Sequence, residues 1–275
     1  MTLATGHSIP QGDPPRSPRE TLPTMYDLPG EFPQEPGLPD VFHDLQPQLL
    51  SRTLQLADYT QDNYFTASDL NLYYDVHHPL WHKRPDWFLA VGVPSLYDGH
   101  DLRRSYVVWQ EGHPPGIVVE FLSPKTERED LGRFFEAADQ VSDNEAPPLS
   151  DAAAPSKLPS KLAVYERYLR TPHYIVYSRY TQRLRYFKLI GGRYEEQPVQ
   201  PSRPMIWLTD LQLGLGLWEG TFEGVPGHWL RWCNQAGDWF LTDTEQERQA
   251  KEQEQQRAEK LAAKLRELGV NPDEL

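Results

Sequence analysis

The feature that most constrains this chain is an apolar run at residues 117–122 that contains a single acid, Glu120. The run reads Ile-Val-Val-Glu-Phe-Leu and has no polar face, which is typical of a strand covered on both sides. An ionised carboxylate in such a strand is costly unless it is paired or binds a cation. We therefore predict a central strand here and a specific role for Glu120.

A second acid, Asp86, follows Pro85 and begins another apolar segment, residues 87–93. Two carboxylates can hold Mg²⁺ through oxygen ligands and leave the other coordination positions to water and substrate phosphate. The alternative is structural: Asp86 caps a turn after Pro85, and Glu120 pairs with an arginine. The spacing of the two acids does not distinguish these hypotheses.

Further segments with alternating, β-branched or aromatic residues predict strands at residues 69–74, 105–109, 173–178 and 183–190. The spacing of Leu162, Tyr165 and Leu169 predicts a helix with Ser160 as its N-cap. Lys161 then lies in the first helical turn, where the helix dipole disfavours a cation. A functional role would explain this position, and a solvated surface lysine is the alternative.

Composition divides the chain into four parts. Residues 1–40 carry nine prolines and are predicted to form a disordered or surface arm, and residues 41–220 form the main domain, with a proline-rich inserted loop at 142–160. Residues 221–243 are predicted to form an aromatic β-hairpin, in which segments 229–232 and 239–241 flank a turn. Residues 244–275 read as a charged helix, and 244–268 offer a surface for a homo-oligomer or a protein partner.

The formal charge of −13 and the pI near 5.1 argue against broad, non-specific adhesion to nucleic acid, although a local basic groove is compatible with them. A single cysteine, Cys233, excludes an internal disulfide, so we expect a cytoplasmic protein. No apolar run approaches the length of about 18 residues that spans a bilayer, so no membrane partner is predicted.

Five short motifs occur in a consistent order between residues 45 and 220. They are Asp-Leu-Asn-Leu-Tyr-Tyr (69–74), Arg-Pro-Asp-Trp-Phe (84–88), Trp-Gln-Glu-Gly (109–112), Val-Glu-Phe-Leu-Ser-Pro-Lys-Thr (119–126) and Lys-Leu-Ala-Val-Tyr (161–165). Together they resemble the Uma-type putative restriction endonuclease family, which belongs to the PD-(D/E)XK nuclease superfamily.

This resemblance implies an α/β (α+β) restriction-endonuclease-like fold: a mixed β-sheet flanked by helices, here with an extra C-terminal β-hairpin region and a terminal helix. It also implies a Mg²⁺- or Mn²⁺-dependent endonuclease that hydrolyses phosphodiester bonds of DNA. Asp86 and Glu120 would be the metal ligands and Lys161 the catalytic lysine. The superfamily places its lysine two residues after the acid, where this chain has Leu122. The family's lysine on the following helix corresponds to Lys161, and Lys125 is the second candidate.

Several assignments stay open on sequence alone. Asp69 is either a further acid near the site or a strand cap, and Ser123 either contributes a hydroxyl or ends its strand. Four histidines at positions 77, 78, 82 and 113 lack the spacing of zinc sites. The competing hypothesis for the whole chain is a catalytically inactive nuclease-like fold that serves as a protein-interaction or scaffolding module.

Overall fold

The computed structural model describes residues 40–123, 126–135 and 158–267. By its internal contacts the chain divides into two units, Met1–Asp44 and Leu45–Leu275. Of the first unit only residues 40–44 are described, and there Nδ1 of His43 lies 2.9 Å from Oδ1 of Asp40. The predicted arm (except residue 40), most of the predicted loop at 142–160, and Lys125 lie outside the described residues.

The helices differ widely in length. They are α1 (Val41–Thr53), α2 (Val108–Glu111), α3 (Glu127–Leu131), α4 (Lys161–Ala163) and α5 (Asp243–Glu267). A π-helix (Val164–Tyr168) continues α4, and single 3₁₀ turns occur at Gln61–Asn63 and Gly132–Phe134.

The main sheet has six strands. In spatial order they are β1 (Tyr64–Ala67), β4 (Trp87–Val91), β6 (Ile117–Phe121), β7 (His173–Ser178), β8 (Arg183–Ile190) and β9 (Arg193–Gln197). Strand β6 pairs antiparallel with β4 and parallel with β7. The predicted mixed sheet with flanking helices is therefore confirmed, as is the hairpin at Gly191-Gly192, which joins β8 to β9.

Strand β6 is covered on both faces, because all five of its residues are buried. On one face Val118 and Phe88 belong to the same core as Leu162 and Val164 of the segment after Ser160. On the other face Trp87 packs against Trp232, with ring centroids 5.7 Å apart, and its indole N–H donates to the Ser51 hydroxyl of α1. The apolar pattern at 117–122 follows from this double coverage.

A second sheet consists of three very short strands. In spatial order they are β3 (His82–Lys83), β2 (Leu72–Tyr73) and β5 (Tyr106–Val107). The strands predicted at 69–74 and 105–109 are thus correctly placed but too long. Asp69 has a φ of 53°, which is outside extended backbone, and the chain enters helix α2 directly after Val107.

A third sheet contains β10 (Met205–Leu208), β11 (Leu213–Phe222) and β12 (Val225–Cys233), in that order. The prediction that segment 229–232 forms a hairpin with segment 239–241 is wrong, because the main partner of segment 229–232 is β11. Strand β12 pairs along its whole length with β11, and only a single bridge joins Cys233 to Trp239. The reason is the tight turn at Glu223-Gly224, where both residues have positive φ, as a two-residue hairpin requires.

Helix α5 agrees with the predicted C-terminal helix, and none of its residues is buried. Its start is fixed by a capping box, in which Thr242 and Glu245 exchange backbone and side-chain hydrogen bonds. The same Glu245 pairs with Arg231, a buried residue of β12. The first turn of α5 is therefore anchored to the third sheet, while its remaining turns are solvated.

Candidate active site

Asp86 and Glu120 lie side by side because of strand pairing. Strand β4 begins directly after Asp86 and places Trp87 opposite Val119, so the next antiparallel pair is Asp86 and Glu120. The backbone N–H of Asp86 donates to Oε2 of Glu120 at 3.3 Å. In return, the backbone N–H of Phe121 donates to Oδ2 of Asp86 at 2.5 Å. The backbone at Asp86 thus orients the Glu120 carboxylate, and the backbone next to Glu120 orients the Asp86 carboxylate.

Lys161 reaches this pair from the helix that follows Ser160. Its Nζ atom lies 3.0 Å from Oε2 of Glu120, and its side chain is 16% exposed whereas that of Glu120 is fully buried. Ser160 is the N-cap, as predicted, and its hydroxyl accepts a hydrogen bond from the backbone N–H of Ala163. The cation at the helix start, which the helix dipole disfavours, is therefore balanced by a buried carboxylate.

Tyr165 is a second donor to Glu120 that we did not predict as a site residue. Its hydroxyl donates to Oε1 of Glu120 at 2.6 Å. Lys161 and Tyr165 are four positions apart and reach the same carboxylate, each on a different oxygen. The sequence signal that could have identified this tyrosine is that spacing, because residues i and i+4 share one helical face.

Asp130, in helix α3, is the other residue that sequence reasoning missed. Its Oδ1 atom lies 3.2 Å from Nζ of Lys161, at ion-pair distance but outside the alignment of a hydrogen bond. The hydroxyl of Tyr174 donates to the backbone carbonyl of Asp130 at 2.8 Å. Asp130 lies in the charged run 127–133, where nothing in the sequence separates it from its solvated neighbours.

The buried carboxylates hold their protons more tightly than free ones. Burial raises the pKa of Glu120 to about 7, with Lys161 opposing the rise and Asp86 adding to it. Burial also raises the pKa of Asp130 to about 6, again with Lys161 opposing. Burial alone would lower the pKa of Lys161, but the neighbouring carboxylates raise it well above its usual value. Lys161 is therefore an ammonium ion at neutral pH, which can donate hydrogen bonds but cannot accept a proton.

The chemistry of these side chains fits a divalent cation. Three carboxylates face one ammonium, so an excess of negative charge lies in a mostly buried space. All the donor atoms are oxygens, as Mg²⁺ and Mn²⁺ prefer. In the described part of the chain, no group of three or more His, Cys, Asp or Glu residues is arranged to hold one ion. The adjacent carboxylates of Asp86 and Glu120 are the oxygens that could hold such a cation.

Asp69 and Ser123, whose roles the sequence leaves open, make contacts with residues other than Asp86 and Glu120. The Asp69 carboxylate pairs with Arg84, with Oδ2 2.6 Å from the guanidinium. The Ser123 hydroxyl lies 3.2 Å from the hydroxyl of Thr126, and the Ser123 carbonyl accepts from the backbone N–H groups at the start of α3. Lys125 lies outside the described residues, so its candidacy stays a prediction.

Comparison with known proteins adds one match. A model of the family Uma2, described as "Putative restriction endonuclease", matches residues 16–218, more than half of the chain. No curated protein and no solved structure gave a significant match. Among the described residues, no helix combines the length and the apolar character needed to cross a bilayer.

Proposed function

The chain belongs to the Uma2 family, and from this premise we propose that it is a Mg²⁺-dependent DNA endonuclease that hydrolyses phosphodiester bonds. Mn²⁺ is the alternative cation. We assign Asp86 and Glu120 as the metal ligands and Lys161 as the catalytic lysine. The observation that carries the proposal is the convergence of these three residues, which come from two adjacent strands and a helix start.

Each side chain has a role that its contacts support. When bound, the cation would polarise a phosphate oxygen and lower the pKa of a water ligand. Lys161, held as an ammonium, would donate to the negative charge that develops on the phosphate oxygens in the transition state. Tyr165 fixes one oxygen of Glu120, and the backbone N–H of Phe121 fixes one oxygen of Asp86. Both acids are therefore oriented before any ligand arrives.

The charge of the chain bears on how DNA would bind. At a formal charge of −13, the protein as a whole repels a polyanion, so affinity must come from local contacts and from the cation at the site. We expect weak binding that falls steeply with added salt and depends on the divalent ion.

The test is cleavage of supercoiled plasmid and labelled oligonucleotides in Mg²⁺, in Mn²⁺ and in EDTA. The wild-type protein should cut with either ion, while Asp86→Asn and Glu120→Gln should cut no more than the EDTA control. Glu219→Gln is the matched control, because Glu219 is an exposed acid on β11 and its loss should leave cleavage unchanged. Equal cleavage by the wild type and both site variants would reject Asp86 and Glu120 as the metal ligands.

A second candidate is a nuclease-like fold that acts as a protein-interaction or scaffolding module. The observation that favours it is helix α5, which is anchored at its first turn yet has no buried residue. We propose that residues 244–268 form the contact surface for a second copy or another protein. Light scattering should then show a smaller assembly after deletion of residues 244–275, and calorimetry should show no Mg²⁺ binding if the acids are inactive.

The predicted division of the chain into four parts belongs to the endonuclease proposal. It comprises an arm at 1–40, a nuclease-like domain at 41–220, a hairpin extension at 221–243 and a charged helix at 244–275. Strand β11 crosses the boundary at residue 220, so we expect limited proteolysis to cut outside residues 205–233. The cytoplasmic location inferred from the single cysteine would place the enzyme with a DNA substrate.

A further inference from the structure

We propose that Asp130 is a positioning residue for Lys161, which it would hold at the site when a cation binds the Glu120 carboxylate. The inference rests on the proposed function, because it concerns the metal-loaded site. It assigns a role to a buried acid that is not one of the two proposed metal ligands.

Lys161 is shared between two carboxylates. Its Nζ atom lies 3.0 Å from Oε2 of Glu120 and 3.2 Å from Oδ1 of Asp130. Among the described residues, these are the two acids within ion-pair distance of that ammonium. A divalent cation bound to the Glu120 carboxylate would repel the nearby ammonium. Asp130 is then the partner that keeps Lys161 beside the reacting phosphate.

Asp130 is also held in place by contacts that do not involve Lys161. Its backbone carbonyl accepts from the hydroxyl of Tyr174, a buried residue of β7. The preceding residue, Glu129, pairs with Nζ of Lys83 at 2.6 Å, which ties helix α3 to strand β3. Helix α3 is therefore held from two other elements, and it presents Asp130 as a fixed counter-charge.

The end of helix α3 lies close to the start of helix α4. Gly132 follows Asp130 after one residue and has a φ of 50°, a conformation that L side chains rarely adopt. A Cβ atom at this position would lie 2.7 Å from Cδ2 of Leu162, the neighbour of Lys161. The absence of a side chain at Gly132 lets the end of α3 reach the start of α4, which brings the Asp130 carboxylate to the ammonium.

The alternative role for Asp130 is that of a third metal ligand. Its carboxylate oxygen faces the ammonium of Lys161, and no three acids in the described part of the chain form a common ligand set. The two roles differ in what the loss of the charge would change. A ligand would be needed for the cation to bind, whereas a positioning residue would be needed only to keep Lys161 in place.

The experiment follows the Lys161 ammonium by heteronuclear NMR of full-length protein labelled with ¹⁵N-lysine. The signal is assigned by its loss in Lys161→Met, and calorimetry on the same samples shows when Mg²⁺ fills the site. We expect the wild-type signal to persist in saturating Mg²⁺. Asp130→Asn should show it without Mg²⁺, where Glu120 still pairs, and lose it when Mg²⁺ binds. Glu219→Gln, which removes the charge of an exposed acid on β11, should behave as the wild type.

The other expected results separate the two roles of Asp130. Asp130→Asn should bind Mg²⁺ within about tenfold of the wild-type affinity and should cut DNA about 10- to 100-fold more slowly. Loss of Mg²⁺ binding in Asp130→Asn, as in Glu120→Gln, would make Asp130 a ligand and overturn the inference. Persistence of the ammonium signal in Mg²⁺-loaded Asp130→Asn would also overturn it.

The wild-type measurements alone keep the inference falsifiable if Asp130→Asn does not fold. Disappearance of the wild-type ammonium signal on Mg²⁺ addition overturns it without any variant. Failure of the wild type to bind Mg²⁺ rejects both the inference and the proposed function. Absence of DNA cleavage together with the expected NMR behaviour rejects the proposed function and supports the positioning of Lys161 by Asp130.

Discussion

The ammonium of Lys161 lies 3.0 Å from Oε2 of Glu120, a residue 41 positions earlier in the chain. This contact joins the first turn of a helix to the centre of a buried strand. It places a permanent positive charge beside two acids that are themselves held by backbone N–H groups.

Replacement of Lys161 by Met should destabilise the protein at neutral pH by about 3 kcal/mol, because Glu120 and Asp130 then lose their shared counter-charge in a buried site. The loss should shrink near pH 5, where both acids take up protons. Urea unfolding at the two pH values measures it. Lys188→Met, at an exposed position of β8, is the control and should change stability little. Equal losses at both pH values would contradict the charge argument.

Without divalent ions, the contribution of Glu120 and Asp130 to the stability of the wild type should fall as pH rises from about 4 to 7. The folded protein keeps protons on Glu120 up to a pKa of about 7 and on Asp130 up to about 6, above their ordinary values of 4.5 and 3.8. In this interval the native state binds more protons than the unfolded state, so the free energy of unfolding decreases with pH. Urea unfolding in EDTA should show a smaller decrease for Glu120→Gln. If the free energy of unfolding changes with pH equally in the wild type and in Glu120→Gln, Glu120 does not cause the pH dependence.

Mg²⁺ should stabilise the protein more at pH 8 than at pH 6, since the acids must be ionised to bind it. At a concentration 100 times its Kd, the gain is about 2.7 kcal/mol for one site. Thermal unfolding with and without Mg²⁺ measures the gain, and Asp86→Asn should abolish it. A gain that is independent of pH, or that survives in Asp86→Asn, would place the ion elsewhere.

Tyr165→Phe should remove a hydrogen bond to Glu120 and leave the packing of the core unchanged. The ring stays, but Oε1 of Glu120 loses a donor, which costs about 1–3 kcal/mol and raises the pKa of Glu120 further. The pH at which cleavage is half-maximal on the acid side should move upward. Tyr194→Phe is the matched control, because that buried hydroxyl donates to the backbone carbonyl of Thr171. It should lower stability and leave the pH profile of cleavage in place.

Gly132→Ala should lower both stability and cleavage, because a methyl group there meets Leu162 at 2.7 Å and its backbone has positive φ. We expect a loss of about 2 kcal/mol in unfolding free energy. Gly191→Ala separates the two effects, since Gly191 also has positive φ but has open space around it. It should cost about 1 kcal/mol and leave cleavage unchanged. Similar cleavage by both variants would show that the approach of α3 to α4 is dispensable.

The sequence predicted the elements whose residue pattern repeats locally. Strand β6 was identified because it is apolar on both faces, and the helix start at Ser160 was identified from its N-cap and the spacing of Leu162 and Tyr165. The hairpin at β11 and β12 was assigned to the wrong partner. The aromatic residues of β12 indicated a strand, but the tight turn at Glu223-Gly224 decided its pairing with β11.

What the sequence determined by itself is which residues are chemically out of place: an acid in an apolar strand, a second acid at the start of another, and a lysine at a helix start. Only the tertiary structure decided which of these residues are in contact. Antiparallel pairing puts Asp86 opposite Glu120, and a glycine-mediated helix contact brings Asp130 to Lys161. Such contacts join residues far apart in the chain, and local periodicity contains no information about them. Asp130 therefore looked like one charge among many until the fold placed it beside Lys161.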